Sequence, residues 1–437
     1  VALNKETIDL HKNEVCLNGL VVFDPDNITL TTADFPRKID LIPVPLLKLA
    51  KDNNGDALMR NTVALGVSCA LLGFDFNILK NILGEQFKKK GQEVIDQNVQ
   101  TAQAGYDYVV NTLKKMPATT IPTVGEPTKM ILTGNESIAL GAVSAGMKFF
   151  AAYPMTPING LITFFANHDK ELSMVYKQPE DEISAINMAI GASFAGVRSM
   201  VATSGGGFDL MNEGLSMAGM TETPIVAVLG QRPGPSSGLP TWTTQGDLQY
   251  ALHAGHGEFF RFVFAPGDVE EAFYLTKLAF NLADQYQVPA IVLSDKYLSE
   301  SQFSLEKDKL KNSTCLPSDV YQKTLIINRG KIGSNQDKEY QRYKISPDGI
   351  SPRALPGQGI PFTVNSYEHN ERGLSTEIAS EIKAMVEKRS AKYKLAQQEA
   401  FGPVVYGKEK TDFTLVGWGT TKQAVLETIN ILAQQKL

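Results

Sequence analysis

The stretch FFAAYPMTP (149–157) places an apolar run, Phe149 to Ala152, directly before two prolines that flank a hydroxyl residue. A short apolar run bounded by turn residues reads as a buried strand. Pro154 and Pro157 each fix φ and remove a backbone donor, so the turn that follows is stiff. It holds Thr156 at the carboxyl end of a strand, where open α/β sheets place their ligands. Two further segments extend the pattern. In QPEDEISAINMAIGASFAG (178–196), Glu182 opens a helix of small residues (Ala185, Ala189, Ala192, Ala195), and ATSGGGFDLMNEG (202–214) follows. In GQRPGPSSGLPT (230–241), Arg232 lies in a Gly/Pro-rich loop after the apolar strand Ile225 to Leu229. One hydroxyl, one carboxylate and one guanidinium therefore stand at strand and helix ends of a single sheet.

Outward from this centre, apolar strands at 145–153, 199–203, 225–229, 259–264 and 289–294 alternate with helical stretches at 135–145, 182–196 and 268–286. Such alternation predicts an α/β fold, a parallel sheet with helices on both faces. The segment MPATTIPTVGEPTK (116–129) holds three prolines and no hydrophobic period, and reads as a linker. Five segments result: a first unit over 1–115, the linker 116–129, the sheet domain 130–302, a loop-rich extension 303–409 and the start of another α/β unit over 410–437. The first unit contains strands near 14–23, a proline-bounded turn IPVPL (42–46) and helices over 61–72 and 76–90. The extension carries a helix from Thr376 to Lys394. In the last segment TLVGWG (414–419) reads as a buried strand and Thr421 to Gln434 as a helix. The chain opens at Val1 within an apparent strand and stops at Leu437 one helix after another, so both ends are expected to be cut.

Composition narrows the function. The 437 residues are 43% hydrophobic and 20% charged, with a formal net charge of −5. An acidic balance argues against nucleic-acid binding, and no apolar run approaches the ~18 residues of a membrane span. Cys16, Cys69 and Cys315 are too scattered for a four-cysteine iron–sulfur site. Sparse, widely separated cysteines suit a reducing cytoplasm.

The motifs YPMTP (153–157), Glu182 in its small-residue helix and RPGPSSGLPT (232–241) together resemble the α subunit of 2-oxoacid:ferredoxin oxidoreductases, which are thiamine-diphosphate enzymes. RYKISPDGISPRALPG (342–357) and EHNERG (368–373) are similar to that family as well. Met155 departs from it, standing where a branched residue is usual. The resemblance implies a thiamine-diphosphate-binding fold at 130–302, preceded by a partial γ-type domain and followed by the start of a transketolase C-terminal-like domain. It implies Glu182 as the cofactor-activating carboxylate, with Tyr153, Pro154, Gly205 and Gly206 beside the cofactor, and Thr156 and Arg232 on the substrate. Read from residues alone, Thr156 could equally stabilise its turn, and Arg232 could pin a loop carboxylate.

The diphosphate motif of thiamine enzymes, GDG followed by NN, does not occur. Gly246-Asp247-Leu248 lacks the second glycine and the asparagines. The resemblance therefore implies a β subunit that supplies Mg²⁺, diphosphate contacts and [4Fe–4S] clusters, with no metal held by this chain. It further implies a 2-oxoacid (pyruvate or 2-oxoglutarate) and coenzyme A as substrates, and ferredoxin as acceptor. A different thiamine enzyme such as an indolepyruvate oxidoreductase, and a non-catalytic assembly subunit of the same fold, are the alternatives. His253 and His256 have a helical metal-ligand spacing without a third ligand nearby, and His369 reads as a loop-knitting residue.

Overall fold

The computed structural model describes residues 1–53, 55–113, 125, 127–312, 315–333, 339–399, 401–407, 411 and 413–435. Most of the expected linker lies outside them. Two compact units are formed, Val1–Pro127 and Thr128–Leu437.

The first unit starts with α1 (Lys5–His11), whose first turn is capped by Asn4. A parallel pair follows, β1 (Leu20–Phe23) with β2 (Asp40–Pro43). Residues 14–19, expected as strand, are not strand, and at Val1–Leu3 only Ala2 bridges to Phe23. Then come α2 (Leu46–Asp52), α3 (Arg60–Leu71), α4 (Phe76–Phe87) and α5 (Gln92–Asp107). Helices α3 and α5 approach closely because Gly66 and Gly105 face each other's backbone. A Cβ at Gly66 would lie 1.8 Å from the Ala102 carbonyl oxygen, and one at Gly105 2.2 Å from that of Val63. Lys88–Lys90 form an exposed 3₁₀ turn after α4, as the charge of a solvated helix end requires.

The second unit opens with β3 (Lys129–Thr133) and α6 (Gly134–Ser144), joined by a capping box between Thr133 and Glu136. Next are β4 (Phe149–Ala151), α7 (Asn159–His168) and β5 (Val175–Lys177). Helix α8 (Glu182–Phe194) starts at Asp181, whose Oδ1 accepts from the Ser184 amide at 2.7 Å. After β6 (Ser199–Ser204) come α9 (Gly205–Leu210), α10 (Asn212–Met220), β7 (Ile225–Gln231) and α11 (Leu248–His253). The sheet is completed by β8 (Phe262–Phe264), α12 (Val269–Tyr286) and β9 (Pro289–Asp295).

All six strands are parallel, in the order β5-β4-β6-β7-β9-β8. The central strands β6, β7 and β9 are buried along their whole length, as parallel strands covered on both faces must be. Side chains alternate between two cores. Met200, Val226, Val228 and Val292 pack with α6, α7 and α12. Val201, Ala227, Leu229 and Ile291 pack on the other face with α8, α9 and α10. This is the parallel sheet with helices on both faces that the alternation of strands and helices predicts.

Beyond the sheet, α13 (Lys296–Glu300) leads into β10 (Gln302–Glu306), which pairs antiparallel with β3. The sequence reads loop from 303 onward, yet a strand there returns to the start of the unit. Its short alternating pattern is covered on one side only. Then follow α14 (Ser318–Leu325), α15 (Ala379–Glu399) and α16 (Thr421–Gln434). The expected buried strand at 414–418 is not formed. Phe413 and Val416 are 89% and 94% exposed, and no neighbouring strand among the described residues pairs with them.

Candidate functional site

The strand order reverses between β4 and β6: the chain leaves β4 for β5 on one side and returns to β6 on the other. That is a topological switch point, and the crevice at the carboxyl ends of such strands is where α/β sheets bind ligands. Arg232 meets Thr156 there, and Glu182 is linked to Met155 through Thr203.

The YPMTP turn follows β4 and is held from three sides. Asn135 donates Nδ2 to the Pro157 carbonyl at 2.9 Å, and Arg232 donates Nη1 to the Thr156 carbonyl at 2.8 Å. Gly230, in β7, gives Pro157 its room, because a Cβ there would meet the proline ring at 3.0 Å and Ile158 at 2.7 Å. Thr156 and Arg232 do not sit on adjacent strands, since β6 lies between β4 and β7. The long guanidinium spans the gap. Arg232 Nε is buried without a protein partner among the described residues. The Thr156 hydroxyl is approached by Asn159 Nδ2 at 3.5 Å, and Tyr153 and Pro154 are exposed.

Glu182 is 3% exposed in the first turn of α8. Its Oε1 accepts a long hydrogen bond, 3.4 Å, from the Thr203 hydroxyl, which also lies 3.9 Å from Met155 Sδ. No protein donor among the described residues reaches Oε2. Gly207 forms the floor. A Cβ on it would stand 2.0 Å from Thr203 Oγ1 and 2.3 Å from Glu182 Oε1. Gly205 and Gly206 face open space instead, with nothing nearer to a Cβ than Asp247 Oδ2 at 3.9 Å and Ser236 O at 3.7 Å.

Asp247 closes the site opposite the glycine run. Its amide donates to Gln231 Oε1 at 3.1 Å, and its Oδ2 is buried without a partner among the described residues. Burial, reinforced by Asp209, holds its carboxyl above the usual carboxylate range. Thr203, Gly207, Gln231 and Asp247 are the site residues that sequence reading passed over. Glycine at 207 was visible as the third of a run, but only the backing of Glu182 gives it a reason. His253 stands apart on the exposed end of α11, with Nδ1 at 2.9 Å from the Gln249 carbonyl. His369 is buried at 2.9 Å from the Tyr367 carbonyl and lies against Tyr343. Among the described residues no three His, Cys, Asp or Glu side chains cluster as metal ligands would.

Comparison with known proteins identifies the family. Residues 140–388 match the family described as pyruvate flavodoxin/ferredoxin oxidoreductase, thiamine diphosphate-binding, and residues 1–108 match pyruvate ferredoxin/flavodoxin oxidoreductase. The whole chain is 34% identical to the α subunit of 2-oxoacid:ferredoxin oxidoreductase 2 of Aeropyrum pernix, covering 75% of that protein. The chain belongs to the 2-oxoacid:ferredoxin oxidoreductase α-subunit family. It is an oxidoreductase subunit. Over 83% of its length the chain is 36% identical to the α subunit of 2-oxoacid:ferredoxin oxidoreductase 1 of Sulfurisphaera tokodaii, of which it spans 57%. The structure is similar to a 2-oxoglutarate:ferredoxin oxidoreductase from Magnetococcus marinus, solved with 2-oxoglutarate, coenzyme A and succinyl-CoA bound. There the TM-score is 0.84 at 32% identity, covering all of this chain and 74% of the other. No helix among the described residues of this family member is long and apolar enough to cross a membrane.

Proposed function

We propose that this chain supplies the pyrimidine half of a thiamine diphosphate site and that, with a β subunit, it oxidatively decarboxylates a 2-oxoacid. In that reaction the bond between the carboxylate and keto carbons breaks, CO₂ leaves, and the acyl carbon bonds to the sulfur of coenzyme A. The two electrons pass singly to ferredoxin and the thiol proton is released. The carrying observation is Glu182, a buried carboxylate at the switch point with one oxygen weakly held and the other without a protein partner among the described residues. A buried carboxylate so poorly satisfied is built for a ligand donor, and a pyrimidine ring nitrogen bearing a proton fits it.

When bound, the cofactor supplies the electron sink that a 2-oxoacid lacks. Glu182 Oε2 would accept the hydrogen bond of the ring nitrogen and so favour the imino form of the neighbouring amine. Gly207 leaves room for that carboxylate, while Tyr153, Pro154, Gly205 and Gly206 line the open approach. Arg232 has its Nη1 bonded to the Thr156 carbonyl, which presents the rest of the guanidinium and the Thr156 hydroxyl to one substrate carboxylate. A planar fork suits that partner better than a lysine. Mg²⁺, the diphosphate contacts and [4Fe–4S] clusters fall to the β subunit. Support comes from the missing GDG…NN and from the wide separation of Cys16, Cys69 and Cys315 along the chain, a sparse cysteine usage that also fits a cytoplasmic enzyme. Pyruvate and 2-oxoglutarate are the substrates to test.

The test replaces Glu182 with Gln in the assembled αβ enzyme. C2 proton exchange of bound thiamine diphosphate and turnover should fall at least ~10²-fold, the scale of acid–base assistance, with folding unchanged. An unchanged exchange rate removes Glu182 from the reaction.

A further inference from the structure

The loop between β7 and α11 carries Arg232 at one end and Asp247 at the other. Its middle is exposed, with Leu239 55% and Trp242 66% exposed, so apolar packing does little to order it. What holds its second half is Asp295, the last residue of β9 and only 2% exposed. One carboxylate oxygen of Asp295 caps α13, accepting from the Leu298 amide at 2.9 Å, and is approached by Thr243 Oγ1 at 3.5 Å. The cap needs no more than that oxygen. The other accepts from Gln245 Nε2 at 3.3 Å and from the Thr420 hydroxyl. Gln245 Nε2 also donates to the Trp418 carbonyl at 3.0 Å. The turn at 418–420 is shaped for this contact: Gly419 has φ +58°, and a Cβ on it would lie 2.5 Å from Gln245 Nε2. Lys422 fastens the same turn to the start of α12 through Asp268 and Glu271, both at 2.6 Å.

We propose that Gln245, Asp295 and Thr420 are positioning residues that clamp the 243–247 loop between β9 and the 418–422 turn. The clamp sets where the unpartnered Asp247 carboxyl stands over the glycine run and, through the Asp247 amide on Gln231, steadies the root of Arg232. Ordering a polar loop costs conformational entropy that only such bonds offset here. The position of the segment beginning at 418 is thereby read at the site. This rests on the reading that the crevice holding Glu182 and Arg232 is the reaction centre.

The experiment compares wild type with Gln245→Ala, Thr420→Val, the double variant and Thr420→Ser in the assembled enzyme. It follows amide hydrogen exchange of 243–247 alongside kcat and KM for the 2-oxoacid. Each single variant should speed exchange in that loop about 5- to 10-fold, the scale of one or two lost hydrogen bonds, and lower kcat/KM. The double variant should add less than the sum, since the groups share one acceptor, and Thr420→Ser should restore both readouts. Unchanged loop exchange in Gln245→Ala, full additivity, or a loosened loop with unaltered kcat/KM overturns the proposal. Glu182→Gln serves as the control. Loop exchange there should match wild type, so failure of the site reading would show in that variant's turnover and leave the loop result separately legible.

Discussion

The two ends of the central sheet handle buried carboxylates in opposite ways. At the amino ends of the strands each buried carboxylate is surrounded by cations. Asp284 meets Arg198 at 2.8 Å, Arg353 at 3.2 Å and Arg329 at 3.4 Å. Glu222 meets Lys388 at 2.6 Å and Lys392 at 2.5 Å, while Arg342 donates to its carbonyl at 2.8 Å. At the carboxyl ends, Glu182 and Asp247 face no cation among the described residues. Burial of charge costs several kcal/mol unless it is compensated, so the first end is a lock between α15 and the sheet. At the second, Asp295 is satisfied by the Leu298 amide, Gln245 and Thr420, whereas Glu182 and Asp247 leave compensation to something that arrives. Polar groups left short of partners mark function only where the surroundings leave room for one.

The comparison is broken most directly at Glu222. Burial alone would raise its carboxyl, yet Lys388, Lys392 and Arg342 together hold it far below the usual range. Replacing Glu222 with Gln strands these cations, and stability should fall by about 3–5 kcal/mol, measured by denaturant unfolding. A loss no larger than that of a surface substitution would show that the lock bears no weight. Glu182→Gln, by contrast, should leave the unfolding midpoint in place.

Next in size is Gly207→Ala. The added methyl has no free space against Glu182 and Thr203. Over-packing of this kind costs about 1–3 kcal/mol, and here it also displaces the carboxylate, so activity should be lost well before the fold. A fully active Gly207→Ala enzyme would sever Glu182 from the glycine run.

Arg232→Lys keeps the charge and loses both the fork and the bond to Thr156. KM should rise about 10- to 150-fold, the value of a charged hydrogen bond, by a similar factor for pyruvate and 2-oxoglutarate. Thr156→Val should do less, about 2- to 13-fold, and non-additively with Arg232→Lys. If only 2-oxoglutarate suffers in Arg232→Lys, the guanidinium holds the distal carboxylate and acts on specificity.

A pH dependence sharpens the lock. Burial pushes Lys392 down to about 8 in spite of Glu222 beside it, while the unfolded lysine titrates near its ordinary 10.5. Between those values the unfolded state binds more protons, so this group makes stability rise with pH. Below about 8 its penalty is fully present. Melting temperatures of wild type and Lys392→Met across that window should therefore converge as pH increases, and parallel curves would refute the shift.

Much of the candidate site was legible because it is built from local signals. A stiff YPMTP turn, a helix opening at Glu182 and an arginine after a buried strand are all stated within a few residues of chain. Strand Gln302–Glu306 was not legible, because its partner lies at Lys129–Thr133, across the whole sheet domain. The exposed TLVGW stretch shows the reverse error: strand propensity without a neighbour to pair with does not make a strand.

By itself, then, the sequence determined the alternation of strands and helices, the stiffness of the YPMTP turn and the residue types that face the crevice. These follow from periodicity, ring constraints and capping, which act over a few bonds. Only the tertiary structure decided that Arg232 reaches across β6 to Thr156, that Gly207 rather than its neighbours backs Glu182, and that Asp295 clamps the Asp247 loop. Those depend on which strands become neighbours and on distances of a few ångströms between residues dozens of positions apart. Chain-local energetics do not encode such distances; packing of the completed sheet does.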